Sequence, residues 1–148
     1  MDPTRLRLGE IVAGTAAAAL ALTLLLDWNR DGGVRESGYA SVGWLMLFLL
    51  AVAVGLAIAL AVTTAGKRPA AIPIGAAVLT TAAGILIVLA LAVRLVFLDD
   101  SLGGAYLGLL FAALIPVGGW LAMADERTDA PYSAAPDLPR RPAPPAEA

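Results

Sequence analysis

Residues 42–65 read VGWLMLFLLAVAVGLAIALAVTTA, 24 consecutive positions without a charge. As an α-helix a run of that length extends about 36 Å, more than the roughly 30 Å of bilayer hydrocarbon. A helix on the surface of a water-soluble domain has a polar face, and this stretch has none. It therefore reads as a membrane span, and the rest of the chain is read around it.

Three further runs repeat the pattern at 8–26, strictly uncharged from Ile11, at 71–98, where Arg94 is the one charge, and at 101–124. Gly66-Lys67-Arg68 and Asp99-Asp100 are links too short for anything but antiparallel neighbours. The expected fold is all-α: an antiparallel four-helix transmembrane bundle over residues 1–124, followed by a disordered, Pro-rich cytoplasmic tail over 125–148. Asp27 to Ser41 is expected to be a turn-rich loop. Met1 to Leu26 has basic residues before an apolar run, as a secretory signal does. It ends Leu24-Leu25-Leu26-Asp27-Trp28 rather than in small residues, so it is read as a retained helix.

Composition agrees. The 148 residues are 59% hydrophobic and 15% charged, with a mean hydropathy of +0.82, whereas soluble domains run at about 45–50% and about 25%. The absence of Cys and His removes disulfides, Cys/His zinc sites, thiolate nucleophiles and imidazole bases. Ten basic residues against 12 acidic ones give no basic face for nucleic acid. No Ser/His/Asp set, catalytic carboxylate pair or phosphate-binding Gly loop is found, so the chain is expected to be neither an enzyme nor a cofactor protein.

Charge sets the expected direction in the membrane. Arg5, Arg7, Lys67, Arg68, Arg127, Arg140 and Arg141 fall on one side of four spans, against Arg30, Arg35 and Arg94 on the other. Both termini are therefore expected in the cytoplasm, with the protein multi-pass in the plasma membrane. Trp28, Tyr39, Trp44, Phe97 and Tyr106 are placed near the outer interface, and Trp120 near the inner one. Leu26-Asp27, Gly32-Gly33 and Tyr39 are echoed by Leu98-Asp99, Gly103-Gly104 and Tyr106. Shared topology explains that echo as well as a duplication does.

Lipid offers no hydrophobic drive for helix association, so small residues must let backbones approach. Gly14 with Ala18, Gly55 with Ala59, Ala71 with Gly75, Thr80 with Gly84 and Gly104 with Gly108 have the required spacing. The helix-packing glycines are thus Gly14, Gly55, Gly84, Gly104 and Gly108, expected to act mainly within the chain and otherwise toward a second copy or a membrane partner. Pro116, inside the fourth span, predicts a kink from Ala112 to Pro116.

Charged candidates are few. Arg94 is expected to snorkel to the outer interface and to form an ion pair with Asp27, Asp99 or Asp100. Thr15, Thr23, Thr63, Thr64, Thr80 and Thr81 are expected to bond to their own helix backbones. Asp27, Asn29, Asp31 and Gly32 follow the opening of a calcium loop, with Glu36 as a further acid. Position twelve of that pattern is Gly38, and Arg30 and Arg35 oppose a cation, so an ordinary loop is preferred and no metal is expected. In the tail, Pro136, Pro139, Pro142 and Pro145 have PxxP spacing, and disorder is preferred to a docking motif.

The chain resembles the small four-span integral membrane proteins of high-GC actinobacteria. Leu26-Asp27-Trp28, Gly104-Ala-Tyr106-Leu-Gly108-Leu-Leu and Gly118-Gly119-Trp120-Leu carry the likeness, which implies a membrane fold and address but no activity. A shorter stretch, Glu10-Ile-Val-Ala-Gly14-Thr15, is similar to the first helix of small multidrug transporters, but it has its acid beside arginines at the interface. The leading functional expectation is a non-catalytic structural or accessory subunit acting through helix association, with the bilayer as its first partner. The alternative is a small transporter or channel subunit.

Overall fold

The computed structural model describes residues 8–65, 71–97 and 101–129. Its elements in chain order are α1 (Leu8–Thr23), β1 (Asp27–Asp31), β2 (Val34–Ser37), α2 (Gly38–Ser41), α3 (Trp44–Ala65), α4 (Ala71–Phe97) and α5 (Gly103–Asp129). Three segments, Trp44–Thr64, Gly75–Phe97 and Gly103–Asp125, are long and apolar enough to cross a membrane. α1 is apolar but has 16 residues, about 24 Å of helix.

The four long helices close a ring. α1 packs on α3 and α5, α4 packs on the same two helices, and α3 scarcely meets α5 across the middle. The shared interior is built of Ala13, Ala16, Ala17 and Leu20 from α1, Leu50, Ala53, Ala57 and Leu60 from α3, Ala77, Ile87 and Leu91 from α4, and Ala105, Ala112, Ile115 and Ala122 from α5. Alanine dominates because the helices are close together: a methyl group fills the space that leucine fills in a looser bundle.

The tightest crossing joins α1 to α5. A Cβ on Gly118 would lie 2.5 Å from the Ala13 nitrogen and 2.7 Å from the Gly9 carbonyl oxygen, and one on Gly9 would collide with the Ala122 nitrogen. Gly9 and Ala13 thus face Gly118 and Ala122, each pair four residues apart and each the floor for the other. On its other side α5 meets α4, where Gly119 lies against Thr81 and Gly84 receives the Pro116 ring, 2.6 Å from where its Cβ would be. α5 continues through Pro116 as one helix.

Several expectations need correction. The chain is not all-α, because 27–37 forms an antiparallel hairpin rather than a loop. Gly32 and Gly33, at φ 54° and 90°, make the two-residue turn whose positive φ angles match the right-handed twist of the strands. The first helix stops at Thr23 instead of Leu26, since Leu25 and Leu26 turn back to the Leu22 and Thr23 carbonyls at 3.1 and 3.0 Å to feed the hairpin. α5 runs on to Asp129, past the boundary expected at 124. The links 66–68 and 99–100 and the PxxP tail lie outside the described residues.

Candidate functional site

The hairpin seals one end of the ring, and Trp28 is its plug. Strand pairing matches Asp27 with Ser37, Asn29 with Glu36, Arg30 with Arg35 and Asp31 with Val34, and the register slips between Asp27 and Asn29. A slip of this kind lets two consecutive side chains share one face. Trp28 and Asn29 accordingly both turn inward, Trp28 to 1% exposure, while Arg30 and Arg35 stay exposed.

Trp28 has three glycines for walls. Added Cβ atoms at Gly38, Gly104 and Gly108 would lie 2.7, 2.8 and 2.5 Å from indole carbons. Only hydrogen at those positions leaves room for the ring. The indole Nε1–H donates to the Thr23 carbonyl at 2.6 Å, satisfying one of the last acceptors of α1. Backbone bonds pin the hairpin from both sides: Gly38 N–H to Leu26 O at 2.9 Å, Tyr39 N–H to Leu24 O at 3.0 Å and Leu102 N–H to Trp28 O at 2.9 Å, with Asn29 bridging to Ser101.

Arg94 reaches this plug from α4. Its guanidinium carbon is 5.9 Å from the Trp28 ring centre, within cation–π range, and Nη2 donates to the Ser41 carbonyl at 3.1 Å. Glu36, on the inward face of β2, acts on it electrostatically. The expected pair with Asp27 is replaced: Asp27 lies 3.5 Å from Arg35, its hairpin neighbour, which is nearer in space than α4. Asp99 lies outside the described residues. Arg94 thus directs its guanidinium at the cap, over Trp28 and against the Ser41 carbonyl.

The calcium pattern is stretched out by the hairpin. Residues two apart in a strand are about 6.6 Å apart, so Asp27, Asn29 and Asp31 are strung along β1, whereas a cation gathers its oxygens at 2.3–2.6 Å. Among the described residues no group of three His, Cys, Asp or Glu converges.

Of the expected packing glycines, Gly104 and Gly108 accommodate an indole instead of a helix. Gly84 holds the Pro116 ring, and Gly14 is 3.7 Å from the Ala61 methyl. Gly55 requires correction as an intramolecular packing position: nothing lies within 4 Å of its Cβ direction, because it faces outward from the ring between exposed Ala51 and Ala59. Spacing identifies small residues but not the direction in which they point. Gly9, Gly118 and Gly119, which make the real crossings, were legible only as small residues among many.

Five threonines bond to their own helices, Thr15 to Ile11, Thr23 to Leu20, Thr63 and Thr64 to Leu60, and Thr81 to Ala77. Thr80 departs from the expectation, fully buried with its hydroxyl unbonded among the described residues. Glu10 is buried too, one position from the Gly9–Gly118 crossing. A groove of about 560 Å³ between α1, α2 and α3 is lined by Ala21, Leu24, Tyr39, Trp44, Phe48 and Ala51 among others. Such a surface accommodates hydrocarbon and has no converging polar groups for chemistry. Comparison with family models, curated proteins and solved structures finds no match to this chain.

Proposed function

We propose that the protein is a four-span integral membrane protein of the plasma membrane, with both termini in the cytoplasm, and that it acts without catalysis as a structural or accessory subunit through helix association. The packing of the apolar 16-residue α1 on α3 and α5 supports counting it as the fourth span. In sequence, Arg5 and Arg7 precede α1, Lys67 and Arg68 link α3 to α4, and Arg127, Arg140 and Arg141 come at or beyond the end of α5, which supports the orientation.

One observation carries the association reading. α3 is the most continuously apolar helix, yet only 22% of its span is buried within the chain, against 28% and 33% for the other two candidate spans. Its outward face presents Ala51, Gly55 and Ala59 at four-residue spacing, the arrangement that lets another helix approach. Against transport, the buried side chains of the described interior form one apolar cluster.

The Cys-free chain makes the test direct. Ala59→Cys on α3 and Leu86→Cys on the exposed face of α4 are cross-linked in native membranes with a short bismaleimide. Products at position 59 and none at 86 are expected. Equal products at both positions, or none at either, contradict association through α3, and ion flux in proteoliposomes would favour the channel alternative.

A further inference from the structure

The cap contains two polar atoms that are buried and unbonded among the described residues: the donor Arg94 Nη1 and the acceptor Asn29 Oδ1. Buried polar atoms are nearly always paired, by protein or by ordered water. The two are complementary in polarity, and the contacts of Arg94 with Trp28 and Ser41 put it beside the hairpin that holds Asn29. Asn29 stands opposite Glu36 in the hairpin, so their side chains share a face. That face is the inward one, since Asn29 and Glu36 are half-buried while the next pair, Arg30 and Arg35, is exposed. Arg94 comes up beneath it, anchored by Ser41 through its other nitrogen and lying over the Trp28 ring, and within the electrostatic reach of Glu36.

We propose that one buried water molecule occupies the underside of the hairpin, accepting a hydrogen bond from Arg94 Nη1 and donating one to Asn29 Oδ1, with the Glu36 carboxylate as the acceptor for its second hydrogen. Three partners is the usual complement of an interior water. The bridge matches each orphaned atom with the opposite polarity and neutralises none of the charge, so Arg94 stays cationic beside Trp28. It also adds a polar tie between α4 and β1 to the stacking of Arg94 over the Trp28 ring. The ligand class is a neutral molecule able to donate and accept at once. An anion would satisfy Nη1 but repel Asn29 Oδ1 and Glu36.

Crystals grown from a lipidic phase and diffracting well enough to show waters test this directly. Expected is a density peak about 3 Å from both atoms, lost in Asn29→Leu while the Arg94–Ser41 bond persists. Water-edited nitrogen NMR of the whole protein in bilayers gives an independent reading: magnetisation should pass from water to the Arg94 guanidinium in the native chain, and that transfer should be lost in Asn29→Leu. Direct contact of Nη1 with Asn29 or with a carboxylate, an empty underside, or transfer undiminished in the variant would each overturn the proposal.

Discussion

The Gly118→Ala substitution adds one methyl group at the α1–α5 crossing, and its consequence follows from the distances there. The new carbon would sit 2.5 Å from Ala13 N, 2.7 Å from Gly9 O and 2.8 Å from Ala13 Cα, where contacts of about 3.5 Å are comfortable. All three are backbone atoms of a helix, so no side chain can swing aside, and the helices must separate by most of an ångström. Overpacking of this kind costs about 1–3 kcal/mol. Alanine returns about 0.5–1 kcal/mol by restricting the unfolded backbone, so the net loss is roughly 0.5–2 kcal/mol. Gly75→Ala in α4 is the internal control: the helix gain is the same, and the added methyl meets nothing within 4 Å. The two variants should therefore differ by about 1–3 kcal/mol, about a 5- to 150-fold difference in folding equilibrium. Reversible unfolding in mixed detergent micelles, followed by tryptophan fluorescence, measures both. Equal stability of the two variants, or a greater loss at Gly75 than at Gly118, would refute the crossing.

Trp28→Ala should cost about 3–5 kcal/mol in the same assay, as expected for emptying a closed aromatic site. With Trp44→Phe and Trp120→Phe in place, Trp28 emission should resist quenchers in both water and lipid, because the ring is enclosed by protein; ready quenching from either side would contradict the plug. Arg35→Ala should change stability by no more than about 1 kcal/mol, since its bridge to Asp27 is largely exposed and solvent screens such pairs; a larger unfolding shift would mean that the bridge organises the hairpin. Millimolar calcium should leave the thermal midpoint unchanged, given the extended placement of Asp27, Asn29 and Asp31; a calcium-specific rise absent with magnesium would reopen the site.

How much of this was legible in the sequence differs by feature. Hydropathy located α3, α4 and α5 because a span must satisfy its backbone internally and cover itself with apolar side chains, and both demands are written in composition. The hairpin left no such mark. Asp27 to Ser37 lacks the alternation of a half-buried strand, and its pairing depends on Gly32, Gly33 and anchors at Leu24, Leu26 and Leu102, which become neighbours only after folding. Tryptophan favours interfacial depth, so the sequence alone places Trp28 there. Its burial depends on three glycines from two separate elements, a coincidence no local window contains. Arg94 is conspicuous in sequence as a charge within a span, but sequence points to acids as its partners, whereas a carbonyl and an indole serve. For the packing glycines, four-residue spacing is common in an alanine-rich chain, and only the geometry separates Gly118, which holds a crossing, from Gly55, which faces outward.

The central claim, four crossings with both ends on the cytoplasmic side, is most directly tested by accessibility. Single cysteines are introduced by Thr4→Cys ahead of α1, Asp31→Cys at the hairpin tip and Ser133→Cys near the end of the chain, and intact cells or right-side-out vesicles are treated with a membrane-impermeant maleimide. The account predicts modification at position 31 from outside and at positions 4 and 133 only after permeabilisation. Outside labelling of 4 together with 31 would mean that α1 does not cross, of 31 together with 133 that an even number of spans separates them, and of 4 and 133 without 31 that the chain is reversed; each would contradict the account.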